Sequence, residues 1–511
     1  MNWSEGYFTD IHYTRGYYRQ LNPAMLRLTA LAAGYEPPGD DGFNYLELGY
    51  GQGMSVACHA AASHGSYWGT DFNPAHASSA LDLARASGAN ARLFDDSFKE
   101  FAARPDLPEF DFITLHGIWS WISADNQAVI LDLIRRKLRT GGIVYVSYNI
   151  YPGWGPRFPV RQLMSLFMQR AGSLRGPDAS IHAAVQFTKD VFAAGADFYE
   201  DVPALAKHLD SLDGRDASYI AHEYLNSDWR ISTFAEVSAQ FAQAKLNYAG
   251  PTDFLDNVEP FRFTPQGREI LNQIGDETLK ETTKDFLNNR MFRCDVYVKG
   301  ARRLTHGECV QRWSRQRFVL TTHQSDMPPE IVLPLGRIHL HDKVPQQIVS
   351  AFAAGGYGAQ TIPQLRAQGA LSQASVEQVI ESLILLIGAG HVCTAQAADA
   401  EQVARCQRFN RHMRQRAVIA QDSDCLASPV TGGAIHAPHI CLLFLDAMDQ
   451  GHTTAAALSA YVWEFLESVG ERMLRDGVRL EQRQDNLAVI EPLAERFLSA
   501  KLPIFKAMQV V

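Results

Sequence analysis

The segment Asn44-Tyr-Leu-Glu-Leu-Gly-Tyr-Gly-Gln-Gly53 constrains the fold more than any other stretch of the chain. An apolar run closes on Glu47 and Leu48, and glycines follow at 49, 51 and 53. A glycine loop between a first strand and a first helix lets backbone approach a ligand closely. It also aims the helix N-terminus at that ligand. The pattern then repeats. Strands are expected at Asn44–Leu48, Ser66–Thr70, Ala91–Phe94, Phe110–Leu115 and Ile143–Tyr148. Helices are expected at Met54–Ser63, Ala75–Ser87 and Asp125–Arg139, with Thr140-Gly-Gly142 as a helix stop. Strands alternating with helices of this length indicate an α/β fold with a doubly wound parallel sheet.

The spacing narrows the ligand. A dinucleotide fingerprint, GxGxxG, places its third glycine three positions after the second. Here it comes after two, with Ser55 and Val56 just beyond. Glu47 at the strand end would repel a pyrophosphate. It suits a cationic, phosphate-free cofactor such as S-adenosylmethionine, whose product is S-adenosylhomocysteine. About 20 residues on, Asp71 closes the second strand, and its two oxygens can accept from both ribose hydroxyls. After the third strand, Asp96 is preferred to Asp95 as acceptor from an adenine amino group, with Phe98 against the ring. The expected cofactor site is thus Glu47, Gly49, Tyr50, Gly51, Gly53, Asp71, Phe72, Asp96, Ser97, Phe98 and His116.

With 511 residues, several domains are expected. A net charge of −9 argues against a nucleic-acid partner bound by bulk charge. Seven cysteines without a CxxC pair give neither a disulfide framework nor the usual zinc spacing. No signal peptide or membrane span is legible, so a cytoplasmic location is expected.

Three segments carry a closer likeness. Leu115-His-Gly-Ile-Trp-Ser-Trp-Ile122 is one, and Val146-Ser-Tyr-Asn-Ile-Tyr-Pro-Gly-Trp154 another. The third comprises His222–Asn226, Ala244–Gly250 and Phe292–Gly300, with Leu426–Gly432 also similar. With these, the chain resembles class I S-adenosylmethionine-dependent methyltransferases that carry a methyltransferase regulatory domain. Among them it resembles the rickettsial protein lysine methyltransferases that modify an outer-membrane surface protein. The pattern of the residues places an N-terminal helical lid at 1–40 and a Rossmann-like core at 41–155. The resemblance implies a helical regulatory or substrate insertion at 156–247, between strands five and six, with the remaining core strands at 248–310. A winged-helix-like domain at 311–400 and a C-terminal helical domain at 401–511 complete the expectation. Tyr50 departs from the family, which commonly has a small residue there.

Methyl transfer is an in-line displacement, so the protein mainly has to hold the nucleophile close and aligned. The residues expected at the reacting end are His116, Trp119, Tyr148, Asn149 and Tyr151. The resemblance implies a protein substrate methylated at lysine nitrogen. O-methylation of a surface polysaccharide or small metabolite is the rival reading, and a non-catalytic cofactor-binding interaction protein a second. A monomer or homodimer is expected. Tyr7, Tyr13, Tyr17 and Tyr18 are lid candidates. Arg405, Arg408, Arg411, Arg414 and Arg416 read as a solvated helix face. His339 and His341 beside Asp342 lack an evident third ligand, so no metal is expected.

Overall fold

The computed structural model describes residues 15–40, 42–171, 176–197, 202, 204–340, 343–420, 422 and 424–511. Tyr7 and Tyr13, and His341 and Asp342, lie outside the described residues.

The alternating apolar runs close into one sheet. Its strands are β1 (Asn44–Leu48), β2 (Ser66–Thr70), β3 (Ala91–Phe94), β4 (Phe110–Leu115), β5 (Leu138–Asn149), β6 (Leu246–Pro251) and β7 (Phe292–Lys299). Their order is β3-β2-β1-β4-β5-β7-β6. The first five strands run parallel, and β7 is antiparallel to both β5 and β6. The order reverses at β1, where β2 and β4 leave on opposite sides. Ligands bind at such a switch point, beyond the carboxyl ends of the strands.

Local chemistry sets the helix starts. Helix α1 (Pro23–Ala32) begins on Asn22, whose side chain accepts from the Ala24 N–H, with Pro23 in the first turn. Helix α2 (Met54–Ala62) is buried throughout, and its small residues let it lie between the sheet and later parts of the chain. Helix α3 (Pro74–Ser87) repeats the Asn-Pro start at Asn73 and ends on Gly88. Helices α4 (Phe98–Ala102) and α5 (Ala124–Lys137) cover the other face.

Thr140-Gly-Gly142 is not a helix stop. Helix α5 ends at Lys137, and Leu138 is already extended and paired with Phe110. Burial of Leu138, 1% exposed, favours an early strand start, and an irregularity in the pairing absorbs Gly141 at φ +81°.

Between β5 and β6 stands a helical insertion, with helices including Phe158–Arg170, Pro177–Ala193 and Phe234–Ala242. Most of it packs on its own cluster around Trp154, Met164, Ile181 and Tyr224. Beyond β7, strand β8 (Arg317–Leu320) lies between Gln360–Thr361 and Val392–Ala395 in an antiparallel sheet. Helices Ile362–Arg366 and Val376–Gly388 pack there, but among the described residues the wing hairpin of the winged-helix-like domain expected at 311–400 does not follow. Val392–Ala395 pairs back onto the upstream β8, which satisfies its ladder.

The arginine row is a solvated face only in part: Arg408 and Arg411 are exposed, Arg414 and Arg416 are half-buried, and Arg405 is buried. The helix Ala400–Ala417 lies across α2 and α3. Arg405 donates from Nε to the Ala61 carbonyl (3.2 Å) and from Nη2 to the Ser63 carbonyl (2.7 Å). Arg408 Nε donates to the Ser87 carbonyl (2.9 Å). Carbonyls at helix C-termini lack intrahelical partners and carry the negative dipole end, so guanidinium groups dock there. Arg414 pairs with Asp449 and Arg416 with Asp422. One apolar cluster, containing Met25, Cys58, Phe318, Phe409 and Leu426, joins α1 and α2 to the later regions.

Candidate cofactor and acceptor site

The carboxyl ends of β1, β2 and β4 meet around Glu47, which sits between Gly69 and Thr114 in register. Glu47 is 3% exposed. The Tyr45 hydroxyl donates to its Oε2 at 3.1 Å. Burial pushes its carboxyl up to about 8, against which the Tyr45 bond is a smaller, lowering effect. A buried carboxylate without a cation is costly, so this position favours a positively charged group.

The glycine loop turns directly above. Gly49 has φ +70° and Gly53 φ +78°. A Cβ on Gly49 would stand 2.6 Å from Ile118 Cγ2, and one on Gly53 would stand 2.2 Å from Ala80 Cβ. Conformation and close approach both demand glycine there. Asp71, 7% exposed, ties the loop to the end of β2. Its Oδ2 accepts from the Gly51 N–H (2.8 Å) and its Oδ1 from the Asn73 N–H (3.1 Å). His76 Nδ1 lies 3.1 Å from the same Oδ1. His76 Nε2 is buried without a hydrogen-bond partner among the described residues, and the side chain lines the cavity.

Tyr50 turns inward. Its ring covers Gly69, where a Cβ would meet Tyr50 Cδ1 at 2.7 Å, and its hydroxyl donates to the Phe94 carbonyl (2.7 Å). Tyr50 thus crowds the cavity from the β3 side.

The cavity is lined by Glu47, Gly49, Tyr50, Gly51, Gly53, Asp71, Phe72, Phe98 and His116 of the expected set. Asp96 and Ser97 are absent from it. Asp96 Oδ2 accepts from Arg104 Nη1 (2.8 Å), which draws the carboxylate aside. Ser97 caps α4 in a reciprocal pair with Glu100. The lining also includes Tyr18, Ser55, His76 and Trp121, none of them among the expected cofactor-site residues. Ser55 and His76 stand on α2 and α3 just past the loops that were recognised, so helical spacing could have suggested them. For Tyr18 the only signal was its place in a tyrosine-rich lid.

His116 marks one end of the cavity. Its Nδ1 lies 2.8 Å from the Tyr145 hydroxyl, and the Tyr18 ring packs against it, tilted by 39°, at 4.0 Å between ring centroids. Burial pushes its pKa down to about 4, so near neutrality it is an uncharged imidazole and a weak base. Phe292, 41% exposed, packs edge-on against it at 6.3 Å.

Three expected residues point elsewhere. Trp119 is 1% exposed and packs on Phe241 at 5.0 Å. Tyr148 is buried and donates to Asp295 Oδ2 (2.7 Å). Asn149 is 3% exposed, and its backbone joins Ser120 and Ser232. Strand alternation sends Tyr148 and Asn149 to opposite faces within the core. Tyr151 is exposed and lines neither this cavity nor the cleft next to it. His339 stands beside Glu330, with its Nδ1 3.7 Å from Oε2.

Behind Phe292 opens a second, wider cleft of about 650 Å³. Its lining includes Arg19, Asp253, Asp256, Arg262, Asn288 and Arg290. Tyr18 and Arg19 are chain neighbours, one facing each space.

Residues 46–142 match the family described as "Methyltransferase domain", and residues 216–299 that described as "Predicted methyltransferase regulatory domain". An uncharacterised protein of Synechocystis is 31% identical over 519 residues, covering 100% of both chains. The chain belongs to the class I S-adenosylmethionine-dependent methyltransferases with a regulatory domain. An uncharacterised protein of Rickettsia prowazekii is 26% identical over 299 residues, covering 56% of this chain and 51% of its own. In fold, this methyltransferase matches PKMT2 of Rickettsia typhi solved in complex with AdoHcy. That match has TM-score 0.70 and 18% identity, covering 95% of this chain and 98% of the other. The family's cofactor, S-adenosylmethionine, suits the donor set found here. Glu47 is buried, Asp71 presents two acceptor oxygens, and His76 Nε2 has no hydrogen-bond partner among the described residues.

Proposed function

We propose that this methyltransferase transfers methyl groups to lysine nitrogen in a protein substrate. The observation that carries the reading is the junction at His116, where the narrow cofactor cavity abuts, across Tyr18 and Phe292, a wide cleft lined by charges of both signs. A long side chain can cross such a junction while the rest of a macromolecule stays in the wide cleft. The whole-chain likeness in fold to PKMT2 of Rickettsia typhi supports the same reading.

Bound S-adenosylmethionine supplies an electrophilic methyl group on a sulfonium. In this reading Glu47 faces the cofactor's ammonium, Asp71 and His76 take its ribose hydroxyls, and Phe72 and Phe98 flank its base. Asp96 and Ser97, held in their own bonds, leave Phe98 as the principal contact from that turn. Tyr18 and His116 border the reacting end. A neutral His116 does not repel an incoming ammonium, and an amine that leaves water there loses its proton to solvent. The faces of Tyr18 and Phe292 attract a cation by about 0.5–2 kcal/mol. Trp119, Tyr148 and Asn149 support the walls from within the core, and Tyr151 takes no part in the transfer.

Two measurements test this. Calorimetry with S-adenosylhomocysteine should show binding by the native protein, weakened at least about tenfold in Asp71→Ala. Unchanged binding in that variant removes Asp71 from the site. Incubation with methyl-labelled cofactor and cell fractions should place label on lysine. Label confined to carbohydrate or small metabolites would overturn the acceptor assignment and favour O-methylation. Cofactor binding with no label transferred to any fraction would favour a non-catalytic interaction protein.

A further inference from the structure

His116 is held from behind by two hydroxyls on one strand face. Tyr145 and Ser147 stand two residues apart on β5, so strand alternation turns both to the same side. They are 0% and 1% exposed. The Tyr145 hydroxyl lies 2.8 Å from His116 Nδ1, and Ser147 Oγ lies 3.3 Å from the same nitrogen. Ser147 Oγ also accepts from the Gly117 N–H at 2.8 Å, which steadies the turn that carries the imidazole.

Which ring nitrogen of a neutral histidine holds the proton is set by the bond that the other nitrogen makes. Two hydroxyl hydrogens have to be placed behind His116, and among the described residues neither meets a carbonyl or carboxylate. Buried hydroxyls seldom go without a partner. A hydrogen on Nδ1 would point at the Tyr145 oxygen and leave one hydroxyl with only the Cys294 sulfur, a weak acceptor. With a lone pair on Nδ1, the Tyr145 hydroxyl donates to it and the Ser147 hydroxyl donates to the Tyr145 oxygen. Every hydrogen then has an acceptor, and the imidazole proton sits on Nε2. That atom is neither bonded nor buried among the described residues, and its ring lines the cofactor cavity.

The described lining of that cavity contains Glu47 and Asp71 but no lysine or arginine. S-adenosylmethionine carries its carboxylate on the same carbon as its ammonium. A site that faces the ammonium with Glu47 therefore needs a donor for the carboxylate close by. Glu47 and His116 stand at the ends of β1 and β4, paired strands about 4.8 Å apart. His76 is turned the opposite way. Its Nδ1–H points at Asp71 Oδ1, so its neutral form offers a lone pair at Nε2, which suits a hydroxyl.

We propose that Tyr145 and Ser147 are positioning residues that hold His116 as a fixed Nε2–H donor to the cofactor's carboxylate. His116 then carries a hydrogen where a general base needs a lone pair. This rests on the proposed placement of the cofactor, with Glu47 toward its ammonium, and is independent of the methyl acceptor.

Nitrogen NMR of the cofactor-free protein, labelled at histidine, tests the tautomer. His116, identified by the signals lost in His116→Leu, should be in the Nε2–H form, and Tyr145→Phe should mix in the Nδ1–H form. Calorimetry tests the contact. Tyr145→Phe, which removes one hydroxyl, should weaken S-adenosylhomocysteine about three- to tenfold, and His116→Leu about tenfold or more. Both variants should bind methylthioadenosine, which lacks the amino-acid end, as the wild type does, which shows that they are folded. In both, the preference for S-adenosylmethionine over its decarboxylated form should shrink by the same factors. An Nδ1–H form in the wild type would overturn the donor assignment. So would unchanged S-adenosylhomocysteine affinity in His116→Leu where Asp71→Ala still weakens it, and the cofactor placement would then stand. Equal losses for the decarboxylated ligand would overturn the carboxylate as partner. Unchanged affinity in Asp71→Ala removes the placement and this inference with it.

Discussion

Glu47 is a carboxylate in a place where charge is expensive, and that gives cofactor binding a pH signature. Its carboxyl titrates at about 8 in the folded chain against an ordinary value of 4.5. Below about 8 the cofactor-free protein carries it protonated. A cationic ligand favours the ionised form, so binding near neutrality should release a proton. Affinity for S-adenosylmethionine should rise with pH, up to about tenfold per unit, and level off above about 8. Calorimetry in two buffers of different ionisation enthalpy measures the proton, and Glu47→Gln should abolish the site's share of the slope. The same group acts on stability. Its contribution is fully present below 4.5 and is lost as pH rises toward about 8. Without cofactor at pH about 8, Glu47→Gln should therefore melt above the wild type, while binding cofactor more weakly. Trp119 is the opposite case, a residue whose sequence context suggests chemistry and whose place is the core. Trp119→Ala should cost about 3–5 kcal/mol of stability, measured by denaturant unfolding. Its affinity for S-adenosylhomocysteine should hold at temperatures where the variant stays folded. Sequence could not separate it from His116, because both lie in one short loop and only the packing partner, Phe241, decides which way the indole faces.

At the level of elements, local signals were readable wherever the physics is local. Asn22-Pro23 and Asn73-Pro74 mark the starts of α1 and α3, since cap and fixed φ act within a few residues. Ends were less legible: β5 begins ahead of Thr140-Gly-Gly142 because its partner β4 takes Leu138 into the sheet. The expected wing hairpin does not form for a similar reason, since Val392–Ala395 finds its partner more than seventy residues upstream, in β8. The arginine helix depends on distant carbonyls in the same way. Arg405→Ala removes both bonds to the end of α2 and should lower stability by roughly 2–3 kcal/mol. Arg405→Lys should restore only part of that, because an ammonium lacks the planar fork that reaches two carbonyls. Urea midpoints would measure both variants, and limited proteolysis should cut the C-terminal region sooner in Arg405→Ala.

Across the whole molecule, the cofactor cavity is closed by parts that lie far apart in the chain. Arg15 donates to Gln52 Oε1 (2.6 Å) beside the glycine loop and to Ser79 Oγ (2.7 Å) on α3. Its Nη1 lies 3.5 Å from Asp422, beyond the arginine helix. The Tyr18 N–H donates to Ser55 Oγ (2.9 Å), which lays its ring across His116. The free volume beneath is about 90 Å³, well under the several hundred that ligand pockets offer. This strap therefore has to shift when the cofactor enters. Arg15→Ala should speed both association and dissociation of S-adenosylhomocysteine several-fold, read by stopped-flow tryptophan fluorescence. Equal rates would show that the strap does not limit access. The sequence by itself determined the α/β core and the cofactor class, and it singled out Glu47 and Asp71, which the fold brings to one cavity. Strand periodicity, glycine spacing and an acid at a strand end are short-range facts. The tertiary structure alone decided which aromatic residues face the cavity, that Asp96 turns to Arg104, and that burial pushes the His116 imidazole down to about 4. It also decided that a second, wider cleft meets the first at Phe292. Those outcomes depend on burial and on partners brought together by folding, and residue spacing along the chain carries neither.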